Sequence, residues 1–260
     1  LVVSGDGYAW SALAGRGLLD AGTPLVYTGN TSAQRLRELV GAGSPVTISD
    51  TNRRRLNLLS GPRVVHSYTL TAGEDLDRDT PSLFLAPRSE SVAWFPDARR
   101  ITSSEPVALD GYQPWARPAL AFDGDPRTAW LVGGYYPDPT GISLRVELRR
   151  PRRISQIELT APANPPDYRR ATAFDVRFSD GSVVPVRVDG ALGVARFPAR
   201  TTSSLELTVT RVEGDGVAQV GLAEVSVAGL DLAERVQLPD DLVVRAGTDA
   251  GLRTALLTGG

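Results

Sequence analysis

The chain has 260 residues, a hydrophobic content of 42% and a formal net charge of −2. That length and apolar content suffice for one large domain or two modest ones, each with its own core. The small net charge and a pI near 5.6 give no reason to expect nucleic-acid binding. Cysteine is absent, which excludes disulfides, zinc–cysteine clusters and thiol nucleophiles.

The apolar runs and the first residues of the chain indicate whether it spans a membrane or carries a signal peptide. No run approaches 18 apolar residues, so the sequence predicts no membrane-spanning segment. The chain starts at Leu1 rather than Met, and no signal peptide is visible. We therefore expect it to be an excised piece of a longer protein.

Residues 1–62 alternate between short apolar runs and helical patterns. The runs are continuous, which is typical of strands buried on both faces, and they lie at 1–3, 24–27 and 46–48. The helix candidates, the second of which opens with a capping box, are 8–19, 31–41 and 52–59. This order predicts a small parallel α/β unit, βαβαβα.

Three features in or just after this unit are candidate sites. The turn Ser4–Gly7 lies between a strand and a helix, where phosphates often bind, but it lacks the G-x-G-x-x-G spacing. A tight turn with a helix cap is the simpler interpretation. The run Arg53–Arg55 is more typical of a solvated helix surface than of a phosphate site. The single histidine, His66, has no G-x-S-x-G companion, so no catalytic triad is predicted.

The rest of the chain divides into a connector, an all-β domain and a tail. Residues 63–100 predict a connector with short strands. Residues 101–230 alternate apolar and polar side chains in at least six segments separated by Asp-Gly and similar turns, which predicts an antiparallel β-sandwich. In the tail, 231–260, the run 242–244 predicts one more strand. Its apolar side chains need cover, so we expect the tail to return to the α/β unit.

The stretch from Phe122 to Trp130 concentrates oxygen-bearing and turn-forming residues. Asp123-Gly followed by Asp125-Pro favours successive tight turns, because Gly accepts positive φ and Pro fixes its own. Such a loop points carbonyls, carboxylates and the Thr128 hydroxyl inward. A hard cation such as Ca²⁺ takes about 6–8 oxygen ligands, which this arrangement favours.

The run A-F-D-G-D-x-x-T-x-W resembles the calcium loop of the discoidin, or coagulation factor 5/8 type C, superfamily. That superfamily includes galactose-binding-like jelly rolls that bind carbohydrate. The resemblance implies a second ligand group from a Glu that enters the final strand, a position that Glu224 matches. It implies a structural Ca²⁺ held by Asp125, the Thr128 hydroxyl, Glu224 and carbonyls near Phe122 and Asp123. A loop held by hydrogen bonds alone is the alternative.

Three stretches occur in one order: 46–55, 121–130 and 221–227. Together they resemble the soluble portion of the large actinobacterial D-type α-(1→3)-arabinofuranosyltransferases, polytopic membrane enzymes that build cell-wall arabinan. The resemblance implies an extracytoplasmic accessory region, tethered to the membrane through the remaining domains of its parent. The membrane helices and catalytic Asp/Glu loops of such transferases are missing, so no transfer activity is expected of this chain.

Jelly rolls of this kind usually bind sugar on loops at one end of the sandwich. The loop residues with aromatic or hydrogen-bonding chemistry suited to sugar are Tyr112, Trp115, Tyr135, Tyr136, Asp138, Asn164, Tyr168, Arg169 and Arg170. Those predicted to contact a cell-wall glycan of arabinan or arabinogalactan type are Trp115, Tyr135, Tyr136, Tyr168 and Arg170. Trp94 and Trp130 are predicted to lie in cores.

Two other functions remain open from sequence. The first is a structural or protein-interaction module that positions neighbouring domains without binding sugar. The second is an independent enzyme acting on glycans or esters. A single histidine, no cysteine and no recognisable acid/base pair disfavour the enzyme.

Overall fold

The computed structural model describes residues 1–5, 9–49, 68–74, 88–105, 114–133, 138–163, 169–215, 219–248 and 252–256. Its helices are α1 (Ala9–Gly15), α2 (Ala33–Gly41) and α3 (Asp241–Ala246). Its strands are β1 (Val2–Ser4), β2 (Val26–Tyr27), β3 (Val46–Ser49), β4 (Val92–Trp94), β5 (Ala98–Ser103), β6 (Trp130–Val132), β7 (Ser143–Thr160), β8 (Arg170–Phe178), β9 (Val183–Arg187), β10 (Leu192–Glu213), β11 (Val220–Leu222), β12 (Glu224–Val227), β13 (Arg235–Gln237) and β14 (Leu252–Leu256).

The chain forms two compact units. Of the described residues, those up to 49, those from 68 to 93 and those from 236 onwards belong to the first, and those from 94 to 235 belong to the second. The boundary of the β-domain therefore lies a few residues outside the predicted span of 101–230 at each end. Within the part of the chain that the structure describes, no helix is long and apolar enough to cross a membrane.

The first unit is built on a parallel sheet of order β14-β3-β1-β2. Val2 and Val46 are almost fully buried and pack with Leu36 and Val40 of α2. The Ser32 hydroxyl accepts from the Arg35 backbone N–H (3.2 Å) and caps α2, in agreement with the capping pattern. The predicted parallel α/β unit is confirmed as a fold class. The candidate helix at 52–59, including Arg53–Arg55, and His66 fall outside the described residues.

The tail contributes a helix and a strand to the first unit. The strand predicted at 242–244 is wrong, because these residues form the middle of α3. Leu242 and Ala246, four residues apart, pack into the core with Val2, while Val243 and Val244 are exposed. Gly247 ends the helix in the left-handed conformation, φ 77°. Three successive apolar residues resemble a buried strand, and only the neighbouring acid and glycine mark a short helix.

A buried carboxylate links α3 to the sheet. Asp241 has no exposed surface, and its Oδ1 accepts a 2.5 Å hydrogen bond from the Ser4 hydroxyl at the end of β1. Its Oδ2 lies 4.0 Å from the guanidinium of Arg245, which also donates to the carbonyls of Thr28 and Thr31. Asp241 and Arg245 of α3 therefore connect this helix to β1 and to the segment after β2.

Replacing Asp241 by Ala is expected to destabilise the first unit by about 3 kcal/mol, because Ser4 would lose its buried acceptor and Arg245 its counter-charge. Asp240→Ala is the matched control, since Asp240 pairs with Arg88 at the surface and makes no side-chain cap, so about 0–1 kcal/mol is expected. Amide hydrogen exchange in β1 and β3 measures the loss of stability in both variants. Equal protection in the two variants would contradict a role for the buried pair.

The second unit is an antiparallel sandwich. Its main sheet has the order β12-β7-β10-β8-β9, with β5 also paired to β7, and β6 pairs with β11 in a smaller sheet. Strands β7 and β10 have 18 and 22 residues, so segments that the sequence suggested as separate strands are continuous. The first half of β7 pairs with β5 and the second half with β12. Register shifts in the β7–β10 ladder, between Arg196 and Arg200 and between Thr202 and Ser204, accompany this change of partner.

The core of the second unit lies between these layers. Trp130, Phe174, Leu144, Leu159 and Leu207 are among its fully buried members. The predicted alternation is confirmed, since the inward positions of β7, β8 and β10 are buried and most intervening positions are not. Trp130 is core, as the sequence indicated, whereas the core position predicted for Trp94 is wrong, because its ring is half-buried beneath the guanidinium groups of Arg149 and Arg235.

Candidate functional site

Side-chain hydrogen bonds close the loop from Phe122 to Trp130. Asp123 Oδ1 accepts from the Asp125 backbone N–H (2.9 Å), and Asp123 Oδ2 accepts from the Thr128 hydroxyl (2.7 Å). Gly124, between them, has φ 79°, which an L side chain rarely adopts. Phe122 and Trp130 are 5% and 0% exposed, so both ends of the loop are anchored in the core. The tight double turn predicted from the sequence is present.

The second carboxylate of the loop, Asp125, is engaged by its neighbour. Arg127 donates from Nε and Nη2 to the two oxygens of Asp125 (2.8 and 2.7 Å), and its backbone N–H donates to Oδ1 (3.0 Å). These bonds lower the pKa of Asp125 to about 2. The carboxylate is therefore ionised at neutral pH and paired with an exposed guanidinium.

Glu224 reaches the loop from the start of β12. The pKa of its carboxyl is raised above the ordinary value, chiefly by burial and also by the charges of Asp123 and Asp125. A hydrogen bond from the Gly124 N–H opposes this rise. Oε1 of Glu224 is buried and accepts no hydrogen bond from the residues that the structure describes. An orphaned carboxylate oxygen beside two further acids is an arrangement that a cation would relieve.

These residues fit a cation. Asp123 and Glu224 supply carboxylates, Thr128 a hydroxyl, and the turn backbone supplies carbonyl oxygens, which are the ligands that Ca²⁺ prefers. Asp125 instead faces Arg127, and over the described ranges no three acidic or histidine side chains form a metal-binding group. Phe122 can contribute only its carbonyl, since its ring is in the core. Calcium at this loop stays a prediction.

A small cleft, with an enclosed volume of about 10 Å³, lies between the loop-bearing ends of β6, β7, β8 and β11. Its lining combines apolar surface with a few polar groups, namely Leu131, Ala161, Pro162, Arg169, Arg170, Ala171, Gln219, Val220 and Gly221. Arg170 donates to the Gly190 carbonyl, and Arg169 Nε donates to the Gly214 carbonyl (3.3 Å). Both guanidinium groups are thereby oriented at the rim by the backbone.

The predicted sugar contacts have different outcomes. Arg170 lines the cleft. Trp115 is 53% exposed on a short 3-10 helix whose Ala116 packs with Ala129 and Leu131. The loop candidates that fall outside the described residues are Tyr112, Tyr135, Tyr136, Asn164 and Tyr168. Asp138 accepts from the Thr140 backbone N–H (3.0 Å), which makes it a turn residue in the part described.

Several lining residues were missed from sequence. Ala161, Pro162 and Gln219 carry no recognition signature, and they meet only because β7, β8 and β11 end at one edge of the sandwich. Outside the cleft, Glu105 was missed as well: its Oε2 accepts from the Gly133 N–H (3.0 Å), where β6 ends. Burial raises the pKa of Glu105. No local pattern predicts this pairing, because the two residues are distant in sequence.

The structure thus defines an antiparallel β-sandwich that shares its chain with a small parallel α/β unit. A family described as a domain of unknown function, DUF7402, matches residues 122–228. No curated protein sequence matches the chain.

Solved structures with a similar fold include the arabinofuranosyltransferase AftD from Mycobacteria. The TM-score is 0.56 and the identity 20%, over 83% of this chain and 17% of that one. The chain thus spans about a sixth of the transferase it matches. Other similar structures are the family 32 carbohydrate-binding module of C. perfringens NanJ in complex with galactose (TM-score 0.35, 20% identity, 54% of this chain and 95% of that one) and the CBM32 of AlyQ in complex with 4,5-unsaturated mannuronic acid (TM-score 0.38, 17% identity, 52% and 98%). The resemblance predicted from sequence is confirmed at the level of fold.

Proposed function

We propose that this chain is a non-catalytic, carbohydrate-binding accessory region of a membrane arabinofuranosyltransferase, which holds cell-wall glycan near the active site of its parent. The observation that carries the proposal is the cleft at the loop end of the sandwich. Its rim offers the partly exposed Pro162 for the C–H face of a sugar, and Arg170 and Gln219 for its hydroxyl groups, above a floor of buried Leu131 and Val220. Strands are committed to the core, so the loop edge is the part free to recognise a ligand.

The size of the cleft indicates weak binding. Its enclosed volume of about 10 Å³ is about that of one water molecule, so a sugar ring would lie across the rim rather than inside the cleft. A shallow site that stacks one ring and makes a few hydrogen bonds gives a dissociation constant near 1 mM, about −4 kcal/mol. Weak contacts suffice for a region that keeps a polymer close to a membrane-bound active site, because several of them add by avidity.

Arg170→Ala is expected to weaken binding of arabinan fragments about fivefold to tenfold, since one charge-assisted hydrogen bond to the ligand would be lost. Arg187→Ala is the control, because Arg187 is exposed on β9 and does not line the cleft. Titration of arabinan and galactan oligosaccharides, followed by amide NMR shifts of residues 169–171 and 219–221, measures both variants. A double Tyr135→Ala/Tyr136→Ala variant tests the predicted tyrosines in the same titration.

One observation favours a structural module instead. The guanidinium groups of Arg169 and Arg170 already donate to the carbonyls of Gly214 and Gly190, so they also brace the loops. If millimolar arabinan and galactan leave the shifts of the cleft residues unchanged, the glycan proposal fails and the structural role is preferred.

A further inference from the structure

The middle of β7 carries a dense group of arginines. Residues 149–153 read Arg-Arg-Pro-Arg-Arg, and all five are exposed, whereas Leu148 and Ile154 on either side are buried. Strand β5 lies alongside, with Ala98 opposite Leu148, and adds two exposed arginines. We call these six residues the arginine ridge: Arg99, Arg100, Arg149, Arg150, Arg152 and Arg153.

Most of the ridge charge is uncompensated. Among the described residues only Arg152 has an acidic partner, Asp97 at 3.1 Å. Arg149 donates to the Phe95 carbonyl (2.8 Å) and lies 5.9 Å from the ring centroid of Trp94. The four others make no ion pair within the described ranges. Because the whole chain carries a net charge of −2, the ridge is a local concentration of the opposite sign.

We propose that the arginine ridge docks on the anionic surface of a lipid bilayer by binding phosphate headgroups. The guanidinium group presents a planar fork of donors that matches phosphate and is weakly hydrated. Five successive residues of β7 are exposed, with Arg152 and Arg153 held in the ladder to β10. An exposed row of guanidinium groups on a strand suits contact with a flat anionic surface. Residues 149–153 extend about 13 Å at 3.3 Å per residue.

The surroundings of the ridge also suit a bilayer interface. Trp94 is half-buried, with the guanidinium groups of Arg149 and Arg235 each 5.9 Å from its ring centroid. Aromatic and arginine side chains together are typical of the headgroup layer. Seven residues of β7, Ile154–Thr160, separate the ridge from the cleft, about 23 Å of strand. Docking at the ridge leaves the cleft open, and the two proposals stand independently.

The test is co-sedimentation of the full chain with phosphatidylcholine vesicles that contain either no phosphatidylglycerol or about 30 mol% of it. Binding is expected only to the anionic vesicles and is expected to fall as salt is raised above about 0.1 M. Arg150→Ala/Arg153→Ala is expected to weaken vesicle binding about 25-fold, since each basic residue near the surface contributes about fivefold. Arg99→Ala/Arg100→Ala, on β5, provides a second variant should the first fold poorly.

The control is Arg177→Ala/Arg187→Ala, which removes the same charge from exposed positions on β8 and β9. In the main sheet β8 and β9 are two and three strands from β7, about 10 and 14 Å away, so vesicle binding is expected to stay at the parent level. Three results would overturn the proposal: no binding to anionic vesicles, equal losses in ridge and control variants, or displacement by inorganic polyphosphate at an equal phosphate concentration. The last would show a soluble polyanion site rather than a membrane surface.

Discussion

Calcium is expected to raise the melting temperature of the β-sandwich, and EDTA is expected to abolish the increase. The buried Oε1 of Glu224 has no hydrogen-bond partner in the described chain and lies beside the loop of Asp123 and Asp125. A bound cation would compensate this charge, and the folded state alone assembles the site. Calcium at 100 times its dissociation constant would then stabilise the fold by about 2.7 kcal/mol by mass action.

Glu224→Gln separates the calcium effect from simple packing. In EDTA the variant is expected to be as stable as the parent or more stable, because it removes a buried charge that repels its neighbours. In calcium the parent gains stability and the variant does not. Asp125→Asn is a useful comparison, since Asp125 pairs with Arg127 and its loss tests whether this carboxylate also ligates the ion. Unchanged melting curves in calcium and EDTA, with Glu224→Gln behaving like the parent, would exclude the ion.

The pH dependence follows from the same carboxyl. The folded pKa of Glu224 is raised above its ordinary 4.5, so without calcium its contribution to stability is present at low pH and is lost as the pH rises through the folded value. Calcium favours the ionised form and opposes this loss. The calcium-dependent gain in melting temperature should therefore be full at neutral pH and shrink as the pH falls towards the folded pKa. Asp125, with a pKa of about 2, stays ionised through that window.

Local patterns predicted the elements that depend on neighbours in sequence. The period-two alternation in β8 and β10 predicted the buried positions, because one face of a strand must cover a core. The turn at Asp123–Asp125 was also predictable from local sequence, because Gly and Pro set the conformation of their own backbone. The helix α3 was not predictable in this way. A run of three apolar residues fits both the helical period of 3.6 and a buried strand, and six residues are too few to distinguish the two.

Properties that depend on partners distant in sequence were beyond local patterns. The continuity of β7 through Arg149–Arg153 depends on pairing with β10 and β5, although four arginines and a proline suggest a break. The cleft depends on which strand ends meet, so Gln219 and Pro162 gave no signal. The pairing of Arg127 with Asp125 was missed because the calcium resemblance assigned that carboxylate to the ion. The orphaned oxygen of Glu224, by contrast, agrees with the ligand role that the resemblance implied.

Gly221→Ala is expected to destabilise the sandwich by about 3 kcal/mol or more. A Cβ at this position would lie 1.7 Å from the carbonyl oxygen of Trp130 and 2.7 Å from its carbonyl carbon, both backbone atoms. Gly221 pairs with Leu131 in the β11–β6 ladder, and Trp130 and Leu222 beside it are fully buried, so neither strand can move away cheaply. Since Glu224 follows three residues later, separation of the strands should also weaken calcium stabilisation.

Gly41→Ala is the control for this substitution. Gly41 ends α2, and nothing lies within 4 Å of a Cβ built there, so alanine is expected to be neutral or to stabilise the first unit by about 0.5–1 kcal/mol. Urea denaturation measures the stability of both variants, and amide hydrogen exchange locates the effect in β6, β11 and β12 or in α2. If the free energy of unfolding of Gly221→Ala lies within about 0.5 kcal/mol of the parent value, β6 and β11 are not packed as closely as the ladder indicates. A change that small is typical of a substitution at the surface.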